Sequence, residues 1–289
     1  MTPAAETTRR AAALREALAA RNLQGALVLQ AVDIYWLAGT RQNAALWVPV
    51  EGEPALLVRK SLERARAESP LSRVLPFPPS RQLAALVGAP RRLGLTFDVV
   101  PVAVQQFWGK ALPGVEWTDV SMLVRELRSV KSPWELERMR ATAALLSGVM
   151  AQVPSFLRPE LREVDVSAEL EVRLRRAGNE GSPRVRGFNQ EFFMGLALAG
   201  GSASSPSYFD GPVTGSGLSP SSPLGASVAP IGRDSPVLLD YTAILGGYVT
   251  DMTRMAVCGR LARACIKPFR NSTKRRKFTH VFPSKLGAD

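Results

Sequence analysis

The sequence predicts an α/β domain over roughly residues 1–120, followed by an α+β region that runs to residue 259. Three observations carry this expectation. Short apolar strands alternate with helical stretches early in the chain, two long helical periods occupy the middle, and a strand pair around a Gly-Gly turn closes the region.

The elements follow in order. Residues 8–23 are spaced as a helix, with Leu14 and Leu18 on one face. Strands are expected in "GALVLQ" (25–30), "NAALWVPV" (43–50), "PALLVRK" (54–60) and "RRLGLTF" (91–97). Helices are expected between them at 61–69, 80–88 and 101–112. A longer helix begins at Pro133, where Ser132 and Glu135 have capping-box spacing. Leu136, Met139, Ala143, Leu146 and Met150 recur at three- and four-residue steps and predict its buried face. Another helix is expected at 163–177, stopped by Gly178. Gly, Ser and Pro then crowd 200–225, which reads as a long loop. The expected divisions are 1–128, 129–259 and a basic tail at 260–289.

Composition narrows the classes. Hydrophobic residues at 46% with 21% charged describe a globular chain. No eighteen-residue apolar run is present, so a membrane span is not expected. Glu6 and Glu16, with no continuous apolar stretch, make the N-terminus unlike a secretory signal, and a cytoplasmic protein is the default expectation. Cys258 and Cys265 lack a zinc spacing and read as free thiols.

The net charge of +12 is local. Residues 260–289 hold nine Lys and Arg and one acid, so +8 of the total lies there. "KRRK" at 274–277, with Phe269 and Phe278 nearby, raises nucleic-acid binding as one reading. The tail has no base-reading motif, and runs of this kind are usually solvated, so nucleic acid is not the expected partner.

The stretch 237–259, "VLLDYTAILGGYVTDMTRMAVCG", sets two aspartates in strand-like sequence. With Gly246-Gly247 as a two-residue turn, Leu245 opposes Tyr248, Thr242 opposes Asp251, and Asp240 opposes Thr253. Asp240 and Asp251 then share a face as diagonal neighbours, roughly 6–8 Å apart at Cα. Arg254 falls on the other face. The residues leave two readings open: a pair holding a divalent cation, or an exposed hairpin whose carboxylates meet water.

"KSPWELERMR" and, about a hundred residues later, "LLDYTAILGGYVTDMTR" resemble the pita-bread metallopeptidases, the family of Xaa-Pro aminopeptidases, prolidases and creatinase. "GALVLQAVDIYWLAGTRQNAALWVPVEGEPALLV" resembles the creatinase-type N-terminal domain. The resemblance implies a creatinase-like α/β domain followed by an α+β pita-bread domain. It also implies that Asp240 and Asp251 match two ligands of a dinuclear Mn, Co or Zn centre. The substrate it implies is a peptide with proline at the second position, and relatives suggest a homodimer.

This sequence departs from that pattern. The family completes its site with a histidine and two glutamates after the aspartate hairpin, whereas the last glutamate here is Glu191 and the one histidine is His280. The position about seventeen residues before Asp240, where the peptidases place another histidine, is Pro223. The expectation is therefore a C-terminally truncated member with an incomplete pita-bread domain, weak or absent metal binding, and no activity as written. A non-catalytic binding or dimerisation module is the alternative. The abrupt change of texture at Arg260 further suggests a tail read out of frame.

Overall fold

The computed structural model describes residues 1–88, 90–187, 190–209, 211, 213–261 and, as backbone, 281–283. The chain divides into two compact units, the first formed by Met1–Ser132 with Arg186–Phe188, the second by Pro133–Val185 with Asn189–Asp289.

The first unit alternates helix and strand as expected: α1 (Ala4–Ala19), β1 (Gly25–Val28), α2 (Ala31–Ala38), β2 (Ala44–Pro49), β3 (Ala55–Val58), α3 (Leu62–Glu68), β4 (Arg73–Pro76), α4 (Ser80–Val87), β5 (Arg92–Leu95), α5 (Val102–Ala111), β6 (Glu116–Asp119) and α6 (Ser121–Ser129). Its six-stranded sheet has the order β4-β3-β2-β1-β5-β6. The pairs β1–β2 and β2–β3 are antiparallel, and β3–β4, β1–β5 and β5–β6 are parallel. Alternation along each strand divides its side chains between two layers. Ala26, Val28, Leu46, Val48 and Leu56 pack with Leu14, Leu18, Ile34 and Val124. Leu27, Trp47, Leu57, Leu93 and Leu95 pack with Leu83, Val87 and Trp108. Burial on both faces explains why the central strands are apolar runs without polar alternation.

A charged network lies within the same unit. Asp33 is fully buried and accepts hydrogen bonds from Arg128 at 2.6 Å and Arg186 at 2.8 Å. Arg186 also forks onto Asp98, at 2.6 and 3.0 Å. Burial pushes the Asp98 carboxyl up, but hydrogen bonds from Arg186 and Ser121 outweigh it and hold the group below the usual carboxylate range.

The second unit contains α7 (Pro133–Met150), α8 (Glu163–Arg176), β7 (Gly195–Ala199), β8 (Pro236–Leu245), β9 (Tyr248–Val257) and a short β10 (Val281–Pro283). The sheet order is β10-β9-β8-β7. β7–β8 and β8–β9 are antiparallel, while β10 joins β9 in parallel. Leu146, Val149, Met150, Val166, Leu170 and Leu174 from the two helices cover Ala197, Val237, Leu239, Tyr241 and Ala243. The opposite face carries a smaller apolar cluster of Leu196, Leu198, Val213 and Leu224.

Several expectations need correction. The first helix starts at Ala4 and stops at Ala19. The buried line of α7 is Glu135, Thr142, Leu146, Val149 and Met150, and Leu136 is exposed. Polar residues belong there because Tyr248 reaches them. Its hydroxyl donates to Glu135 at 3.3 Å, and its carbonyl accepts from the Thr142 hydroxyl. The tail holds one short strand within the described residues, Val281–Pro283. Its basic run at 274–277, Phe269, Phe278, Cys265 and His280 lie outside the described residues. Among the described residues no helix is long and apolar enough to cross a membrane.

Candidate metal centre

The hairpin that carries the aspartates is fixed at its tip. Gly246 and Gly247 have φ of +59° and +76°, a left-handed pair that glycine adopts without a Cβ penalty. Both of their N–H groups donate to the Glu180 carboxylate, at 2.7 and 3.0 Å. The turn sets the register expected from sequence: Leu245 pairs with Tyr248, Thr242 with Asp251, and Asp240 with Thr253. Arg254 pairs with Leu239 and so belongs to the helix-side face.

Asp240 and Asp251 therefore stand on the face away from the helices. Asp240 is half-buried and Asp251 exposed. Thr253 donates to Asp240 Oδ1 at 2.6 Å. Partial desolvation, then the charge of Asp240, pushes the Asp251 carboxyl above its ordinary value, against the backbone hydrogen bond from Met252. The charge of Asp240 beside the raised Asp251 carboxyl favours a cation between the two.

Phe192, Phe193, Gly195, Leu196, Val213, Leu224 and Thr242 join the two aspartates in lining a small pocket. Gly195 pairs with Tyr241, and a Cβ there would lie 2.3 Å from the Tyr241 ring. Only glycine admits that approach of β7 to β8. Sequence reasoning missed every one of these lining residues. The signal available was the apolar run 195–199 beginning at a glycine, which marks a buried strand.

The comparisons follow from this geometry. Residues 10–130 match the creatinase/prolidase N-terminal domain, and residues 137–273 match metallopeptidase family M24. Together the two matches span most of the chain, a creatinase-type N-terminal domain followed by a metallopeptidase M24 domain. Among similar proteins, the probable dipeptidase PepE of Mycobacterium tuberculosis is 30% identical over 176 residues, covering 56% of this chain and 46% of PepE. The uncharacterized peptidase YqhT of Bacillus subtilis is 25% identical over 171 residues, or 59% of this chain and 41% of YqhT. The chain thus spans less than half the length of these curated relatives.

Solved structures share the fold of this chain. The Xaa-Pro dipeptidase of Bacillus anthracis superposes with a TM-score of 0.76 at 20% identity, over 91% of this chain and 68% of that one. The prolidase of Pyrococcus horikoshii OT3 gives 0.74 at 17%, over 93% and 70%. Dipeptidase PepE of Mycobacterium ulcerans gives 0.72 at 21%, over 92% and 68%.

The donor set can be tested against the metal that the family name implies. Asp240 and Asp251 share a face, and one oxygen of Asp240 already accepts from Thr253. Among the described residues no group of three or more His, Cys, Asp or Glu could hold a metal ion. Two carboxylates leave a hard or borderline divalent cation bound mostly by water. The described residues do not fit a dinuclear centre.

Proposed function

We propose that this chain is a proline-peptidase-type member of its family that keeps two metal-binding carboxylates and does not hydrolyse peptides with the residues it supplies. The single observation behind this reading is the hairpin register, which sets Asp240 and Asp251 on one face with no third metal-binding group among the described residues.

Generating hydroxide from bound water near neutral pH requires a cation held firmly by protein ligands, with one open position. Two carboxylates supply attraction without that geometry. On this reading Asp240 and Asp251 hold at most one Mn, Co or Zn ion weakly, and a short peptide with proline at its second position is the substrate class of the lineage. The solved relatives named as an Xaa-Pro dipeptidase and a prolidase support the substrate class.

Titration of the purified chain with Mn2+, followed by the loss of free-ion EPR signal, tests the proposal. We expect at most one ion, a Kd on the order of millimolar, and loss of binding in the Asp240→Asn/Asp251→Asn double variant. Tight binding of two ions would contradict it.

A non-catalytic binding role is the second reading. It is favoured by the complete sheet and both apolar layers of the first unit, which need no metal.

A further inference from the structure

Glu163 is the first residue of α8 and is fully buried. Its carboxylate receives four neutral donors: the Ala199 N–H at 2.6 Å, the Ser202 hydroxyl at 3.0 Å, the Ser227 N–H at 2.8 Å and the Ser227 hydroxyl at 2.7 Å. Burying a carboxylate costs several kcal/mol unless hydrogen bonds replace its water, and these four bonds do so. What they join gives the side chain its meaning.

Ala199 ends β7, and Ser202 lies in the 3-10 turn Gly200–Ser204 that follows it. Ser227 stands at the far end of the long loop. One carboxylate therefore ties together both ends of segment 203–226. The Ser202 hydroxyl extends the tie inward by accepting from the Ser216 N–H at 3.4 Å. Within the segment, Thr214 Oγ1 donates to the Ala203 carbonyl at 2.9 Å, and the Gly217 N–H donates to the Gly225 carbonyl at 3.0 Å. Val213 and Leu224 belong to this segment, and both wall the pocket that contains Asp240 and Asp251.

We propose that Glu163 is the positioning residue of that wall: its carboxylate clamps the two ends of 203–226 and so holds Val213 and Leu224 against Leu196 beside the aspartates. The functional meaning of the clamp rests on the reading of this pocket as the ligand site. A carboxylate is needed because it accepts at both oxygens. Glutamine would turn an NH2 donor toward either the Ala199 or the Ser227 N–H, and that end of the segment would keep only its backbone ties, the pairing of Ala199 with Val237 or the Val164 N–H donated to the Ser227 carbonyl at 3.0 Å.

Hydrogen exchange followed by mass spectrometry, on the full chain and its Glu163→Gln variant, tests the clamp. We expect peptides within 203–226 to exchange about tenfold faster or more, with peptides of α7 and β8 changed by less than about twofold. Equal acceleration throughout the second unit would show an ordinary stability contribution and overturn the proposal, as would no change in 203–226. Should Glu163→Gln not fold, Ser202→Ala and Ser227→Ala each remove part of the clamp. Both are expected to accelerate the same segment to a smaller extent, and no acceleration in either overturns it. Mn2+ titration separates this proposal from the metal reading, because the aspartates ride on the hairpin and not on the loop. Affinity in Glu163→Gln should stay within about twofold of the parent. No Mn2+ binding by the parent chain would overturn the metal reading and the function given to the wall, whereas unchanged exchange overturns the clamp itself.

Discussion

Thr253 Oγ1 donates to Asp240 Oδ1 at 2.6 Å from the position directly opposite it in the β8–β9 register. The bond engages one lone pair of Asp240 Oδ1 and restrains the side chain. Thr253→Val keeps the shape and removes the donor. It should destabilise the chain by about 0.5–1 kcal/mol in urea unfolding, as one largely exposed hydrogen bond is lost.

Asp251 carries the opposite expectation. Its folded carboxyl is raised, first by desolvation and then by Asp240. A raised acid costs stability when ionised, and the cost is relieved as pH falls through the folded value. The Asp251→Asn variant should therefore be more stable than the parent at pH 7, by less than about 1 kcal/mol because the side chain is exposed. The difference should vanish on acidification below the ordinary carboxylate range. Thermal unfolding across that range checks both the sign and the window.

Arg186 is the residue whose loss should be felt most in the first unit. It pairs with the fully buried Asp33 and forks onto Asp98. Arg186→Ala leaves Asp33 with Arg128 and strips Asp98, at a cost of about 2–3 kcal/mol. Asp98 is held below its usual value, so its contribution is present above the unfolded carboxylate pKa and lost as pH falls through the lowered one. The gap between parent and variant should narrow in acid.

The hairpin tip gives a sharper backbone prediction. Gly247 has a φ of +76°, and its N–H donates to Glu180. Gly247→Ala should cost about 1 kcal/mol through the left-handed backbone alone. Glu180→Ala, which frees both turn N–H groups, should cost a similar amount.

The hairpin was legible because two adjacent glycines fix a two-residue turn, and a fixed turn determines every pairing after it. The central strands of the first unit were legible because burial on both faces makes them unbroken apolar runs. β6, "EWTD", was not, since it is an edge strand whose partly exposed side chains need no apolar pattern. α2, at eight residues, is too short for a helical period to stand out from the apolar strands around it. The α7 face was misread because Glu135 and Thr142 are buried against Tyr248, a contact between residues more than a hundred positions apart. The pocket wall escaped notice for the same reason. Val213 and Leu224 come from a loop without periodicity, and only Glu163 and the turns within the loop bring them to β7.

The proposal is that Asp240 and Asp251 are a metal-binding pair that lacks, among the described residues, the partners that hydrolysis requires. The most direct test is hydrolysis of an Xaa-Pro dipeptide by the purified chain in the presence of added Mn2+ or Co2+, beside its Asp240→Ala variant. The account predicts no turnover above the metal-only control for either protein. Turnover by the parent chain that disappears in Asp240→Ala would contradict it.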